Sequence, residues 1–78
     1  MPTMKEELER TLLAAKEHGM DICVEIEMPG QEENELIINH CSSIDNKLAY
    51  YLAVYNDDLV HNNNKEIKIV GFSMMQYF

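Results

Sequence analysis

Residues 48–55 read Leu48-Ala49-Tyr50-Tyr51-Leu52-Ala53-Val54-Tyr55. Taken with a period of two, Leu48, Tyr50, Leu52 and Val54 share one face of an extended chain, and Ala49, Tyr51, Ala53 and Tyr55 share the other. Neither face is polar. A strand of that kind needs cover on both sides, which puts it at the centre of a sheet or beneath other parts of the fold.

Moving toward the N-terminus from that segment, Ser43 to Lys47 contains Asp45-Asn46 and reads as a turn, and residues 35–42 form a strand led by Glu35-Leu36-Ile37-Ile38. Pro29 to Asn34 is polar and turn-forming, of hairpin-loop length. Before it, Ile22-Cys23-Val24-Glu25-Ile26-Glu27-Met28 alternates apolar residues with Glu25 and Glu27, so residues 22–28 predict an antiparallel strand with one buried face. The first element is a helix over residues 4–18. Thr3-Met4-Lys5-Glu6 is a capping box; Met4, Leu8, Leu12 and Ala15 recur at helical spacing; Gly19 supplies a left-handed stop. Glu6 and Glu7 suit the positive end of the helix dipole, Lys16 and His18 the negative end.

On the other side of residues 48–55, the polar stretch that follows reads as a loop, either plain or with a short strand at Leu59 to His61, and residues 66–74 form the last strand. Its alternation holds through Ile69 and slips at Val70-Gly71, where a glycine inside a strand marks a bulge or sharp bend. The chain is thus a single α+β domain over residues 1–78: an N-terminal helix followed by a four- to five-stranded antiparallel meander. The sheet is either strongly bent, as a small SH3-like or Sm-like barrel capped by the helix, or open with the helix laid across one face. The slip at Gly71 and the two-sided strand at 48–55 favour the barrel.

The helix through Glu17, then Val24-Glu25-Ile26, then Leu36 to Ser43 leading into Ile44-Asp45, and the closing Ile67-Lys68-Ile69-Val70-Gly71-Phe72 together resemble the small Sm-like barrels of bacteria, in particular the YolD-like proteins of Gram-positive bacteria and their phages. The likeness covers most of the chain. It implies a barrel fold and assigns no activity to any residue, and the basic, glycine-containing signature of Sm-like RNA chaperones is absent from this sequence.

Composition narrows the partners. A chain of 78 residues buries only about 60% of the surface that its unfolded form exposes, and such domains often gain support from a disulfide, a metal or a second subunit. Fourteen acidic against six basic residues give a formal net charge of −8, and direct nucleic-acid binding, which needs a basic stripe, is not expected. Ten of the acids lie in residues 1–39, leaving the second half nearly neutral and rich in Tyr, Asn and Met. No apolar run nears the roughly 18 residues of a membrane span and no secretory leader is visible, so a cytoplasmic protein is expected, with Cys23 and Cys41 reduced.

Chemistry-bearing residues are few. Asp57, Asp58 and His61 could offer oxygen and nitrogen ligands to a divalent metal, but the loop lacks the glycine and ligand spacing of a calcium site, and turn formation by Asp and Asn explains it more simply. His40 and Cys41 are adjacent in a strand and point to opposite faces, so they form no dyad. No catalytic grouping is recognisable and no cofactor is expected. Glu25, Glu27, Glu32, Glu33 and Glu35 cluster at the first hairpin, where they suit a solvated face or an acidic mimic of nucleic acid. Tyr50, Tyr51, Tyr55, Met74, Met75, Tyr77 and Phe78 are residue types enriched at protein interfaces. The reading that results is a non-enzymatic interaction module that self-associates or binds a protein partner through its second half.

Overall fold

The computed structural model describes residues 1–75. Helix α1 (Met4–His18) begins at the Thr3/Glu6 capping box and ends at Gly19, whose φ of 66° lies in the left-handed region. Strands β1 (Asp21–Glu27) and β2 (Glu35–Asn39) form the first hairpin. A 3-10 turn at Cys41–Ser43 leads into helix α2 (Ile44–Val54), and a two-residue strand β3 (Val60–His61) precedes the long β4 (Asn64–Met75). The four strands form one antiparallel sheet in the order β2-β1-β4-β3.

The α+β class, the opening helix and the four-stranded antiparallel sheet are as the sequence predicts. The strand expected at residues 48–55 is instead α2. The physical reason lies in the same residues: Ile44, Leu48, Tyr51 and Tyr55 recur at spacings of four, three and four, which is a helical stripe. Ile44, Tyr51 and Tyr55 are buried, with Leu48 packed against them. A segment apolar at almost every position satisfies both periods, so alternation alone cannot choose. Leu, Ala and Lys dominate residues 47–53, and they favour helix over strand.

Removing that strand changes the topology. The sheet is not a simple meander, because β4 crosses to pair with β1 and places both at the centre. Nor is the sheet closed among the described residues, which therefore do not form the barrel expected from the sequence. The irregularity expected at Val70-Gly71 is present: the β1/β4 register passes from Glu25↔Gly71 to Ile26↔Ile69 and leaves Val70 as the extra residue. The strand expected over residues 35–42 stops at Asn39, because residues 41–43 turn into α2.

The core lies on one face of the sheet, where Ile22, Val24 and Ile26 of β1 and Ile69 of β4 meet Leu8, Leu12 and Ala15 of α1 and Ile44 and Tyr51 of α2. Both helices therefore cover this inner face, and an ion pair between Lys16 and Asp45 (2.8 Å) links them at the surface. Asn39 is buried on the same face, where its side-chain amide and the Tyr51 hydroxyl hydrogen-bond at 3.3–3.4 Å. That pairing meets the requirement that a buried polar group find a partner.

Candidate interaction surface

Cross-strand partners share a face, so the register shows what the sheet presents on its outer side. Cys23 lies opposite Ile38 and Glu25 opposite Leu36 on the β2 flank, while Ser73 and Gly71 lie opposite the same two β1 residues on the β4 flank. Among the described residues no helix covers these positions, since α1 and α2 both lie on the inner face. Leu36 is 64% exposed and Ile38 48%, with Val70 also exposed at the bulge. Glu25 is held toward the hairpin loop by Asn34, whose amide donates to its carboxylate at 2.6 Å.

The two edges of the sheet are built differently. Strand β3 is two residues long, its pairing with β4 is irregular, and Asn-rich turns flank it. These are devices that blunt an edge against further pairing. Strand β2 pairs with β1 over five consecutive residues without a register shift, and between Glu35 and Asn39 it holds no Lys, Pro or bulge. Five residues is about the usual strand length, so β2 offers a regular open edge beside exposed Leu36 and Ile38.

What ends β2 is the Asp21 carboxylate. One oxygen accepts the Cys41 backbone N–H at 2.9 Å, and the other contacts His40 Nδ1 at 2.9 Å. Asp21 is almost fully buried while the His40 ring is exposed. The chain is thereby turned out of the sheet into the 3-10 turn. Sequence reasoning missed this arrangement because Asp21 follows Gly19-Met20 and resembles a turn residue. His40 and Cys41, which the sequence predicts as neighbours within a strand, therefore both lie beyond the end of β2 and meet the same Asp21 carboxylate, one by side chain and the other by backbone. Cys23 and Cys41 are both free thiols, half-buried.

The residues singled out from the sequence are dispersed. Tyr51 and Tyr55 are core residues, each 2% exposed, and are not available to a partner. Burial pushes both phenols up, Tyr55 to about 12 with a further rise from Tyr50 and Tyr51, while the Asn39 hydrogen bond partly offsets the rise at Tyr51. Tyr50 is exposed on α2. Met74 is exposed on β4 opposite Ile22, and Met75 is half-buried opposite Asp21. Tyr77 and Phe78 lie outside the described residues.

Residues 56–63 form a wired turn. Asn56 Oδ1 accepts the backbone N–H groups of Asp58 and Val60, at 2.9 and 3.0 Å. His61 Nδ1 accepts from the Asn63 N–H at 3.0 Å, and its ring packs edge-on against Tyr55. The Asp57 carbonyl accepts from Lys5 N–H, which ties the turn to the start of α1. His61 thus commits Nδ1 to the backbone, and among the described residues no three His, Cys, Asp or Glu side chains gather as a metal site. Among those residues, too, no helix is long and apolar enough to cross a membrane.

Comparison of the chain with protein-family models, with curated proteins and with solved structures returns no match.

Proposed function

We propose that this chain is a non-enzymatic protein-interaction module, and that its docking element is the open edge of β2 rather than the aromatic segment of its second half. The observation that carries the reading is the contrast between the two sheet edges, one cut short and irregular, the other regular and accompanied by Leu36 and Ile38 facing solvent. An open edge binds an extended segment through main-chain hydrogen bonds, and side chains on alternate positions add selectivity. Here that selectivity comes from Leu36 and Ile38, which prefer apolar side chains on the incoming strand, and from Glu35 at the end of the ladder.

Panning a displayed library of random linear peptides against the whole chain tests this, followed by titration of the retained peptides into nitrogen-15-labelled protein. Chemical-shift changes and slowed exchange at residues 35–39, abolished by Ile38→Lys, are the expected result. Because Ile38 is exposed, that substitution is expected to change stability by no more than about 0.5 kcal/mol. Retained peptides that shift only Tyr50 and its neighbours on α2, or the turn at 56–63, would overturn the reading. So would a library that yields no binders at a protein concentration where the chain is monomeric.

A further inference from the structure

Resting on the docking-edge reading, we infer that the occupant of the β2 edge is a second copy of this chain, added antiparallel about a two-fold axis through Ile37. A two-fold interface requires a surface complementary to itself, and β2 has one such register that keeps all five of its residues. Centred on Ile37, Leu36 of one protomer lies opposite Ile38 of its partner, and Glu35 lies opposite Asn39. A centre at Leu36 would place Ile38 opposite Asn34 and leave only three strand residues in the ladder. A centre at Ile38 would run the ladder into Cys41, which belongs to the 3-10 turn. A parallel in-register addition would set Glu35 beside Glu35, and like charges directly opposite are destabilising.

Charge and apolar surface agree with the Ile37 centre. Glu35 is the only ionisable residue of β2, and here it lies opposite the uncharged Asn39, whose buried amide stays with Tyr51, rather than opposite a second Glu35. One step beyond the strand, Asn34 of one copy lies opposite His40 of the other, and Glu33 falls one residue further on, opposite Cys41, so no two like charges are set directly opposite. On the outer face the two Leu36/Ile38 pairs form one four-residue apolar patch, flanked on each side by Cys23 and Glu25. The half-buried Ile37 residues meet across the axis on the inner face. The two sheets would join as one continuous eight-stranded sheet, with β3 as the edge at either end.

Opposing this contact is the net charge of −8 on each copy, which makes the dimer weak in dilute salt and tighter as salt screens the repulsion. A basic peptide on the same edge would respond in the opposite direction. The test is sedimentation equilibrium of the full 78-residue chain under reducing conditions, over roughly 10 μM to 1 mM, the range that resolves weak association. A monomer–dimer equilibrium that tightens with sodium chloride is expected, weakened about tenfold or more by Ile38→Lys.

Register is read separately, from isotope-filtered contacts in a mixture of labelled and unlabelled protein. Contacts between Leu36 and Ile38 methyls of different copies are expected. A monomer throughout the range overturns the inference, as does a dimer whose intermolecular contacts fall at Tyr50 or Met74. If the chain stays monomeric yet library peptides still bind residues 35–39, the second copy is wrong and the docking edge stands; if neither binds, both fail.

Discussion

Leu59 is the only described residue other than glycine with a positive φ, 61°, and its side chain is fully buried. Its N–H donates to the Asn56 carbonyl, and its own carbonyl accepts from Ile69, both at 2.9 Å. The turn therefore holds a leucine in a conformation that costs an L-residue roughly 1–2 kcal/mol, because the side chain is needed in the core. Leu59→Ala should lose about 2–5 kcal/mol through the cavity it leaves. Leu59→Gly removes one more carbon but relieves the backbone, so it should be the more stable of the two by about 1 kcal/mol in urea titration. The reverse order would show that the turn leaves the left-handed region once the side chain is cut. The buried phenols give a second prediction at this scale. In the unfolded chain a tyrosine ionises near 10, whereas Tyr55 does so at about 12 and Tyr51 is also raised. Above pH 10 the unfolded state loses protons that the folded state keeps, so stability present below that pH declines as the pH rises toward 12. For Tyr55 the slope approaches about 1.4 kcal/mol per pH unit within that interval, and Tyr51 adds to the decline in the same direction. Urea midpoints across this interval should fall, and Tyr55→Phe should flatten the fall; equal slopes in the two proteins would contradict the burial of that hydroxyl. These aromatic residues also show why burial was not legible at Tyr51 and Tyr55: tyrosine is enriched at interfaces and is common in small cores, and contacts with Asn39 and the helices, made by distant parts of the chain, put these two inside.

Element by element, what was legible followed from how many independent signals agreed. For α1 the capping box, the four-four-three spacing, the end charges and Gly19 all pointed one way, and its limits match the expectation residue for residue. In β1, two glutamates between buried apolar residues mark the period of two. Residues 44–54 offered no such agreement, since polar residues are sparse after Lys47 and both periods fit. The neutral tie was broken by contacts with α1 and Asn39, which come from distant parts of the chain. The open edge of β2 was half legible: three successive apolar residues, Leu36-Ile37-Ile38, must place at least one outward, yet strand order decides whether that strand is an edge. The cap of α1 supplies the prediction here. A Cβ built on Gly19 meets nothing within 4 Å, so Gly19→Ala carries no steric clash and isolates the backbone cost of φ 66°, about 1–2 kcal/mol. Thermal or urea unfolding should show that loss with native secondary structure kept. A neutral or stabilising effect would mean that the helix ends elsewhere.

Across the whole molecule, the balance of charge sets the response to salt. The fold measures 34 × 28 × 23 Å, and at about 0.01 M ionic strength the Debye length of about 30 Å spans it, so the excess negative charges repel one another from end to end. At about 0.15 M the length falls to about 8 Å and only near neighbours interact. Two exposed lysine–carboxylate pairs, Lys16 with Asp45 and Lys68 with Glu27, work in the other direction, since salt weakens them. Exposed pairs contribute at most about 1 kcal/mol each, whereas the glutamates of β1 and the first hairpin repel within a small volume that unfolding would expand. Repulsion should therefore dominate, and the urea midpoint at neutral pH should rise as sodium chloride is added from low to physiological strength. An equal concentration of potassium chloride should do the same, because screening depends on ionic strength and not on a particular cation. A midpoint that falls with salt would show that the two ion pairs outweigh the self-repulsion. The salt-tightened dimer would then lose its physical basis as well, since both responses spring from the same excess of carboxylates.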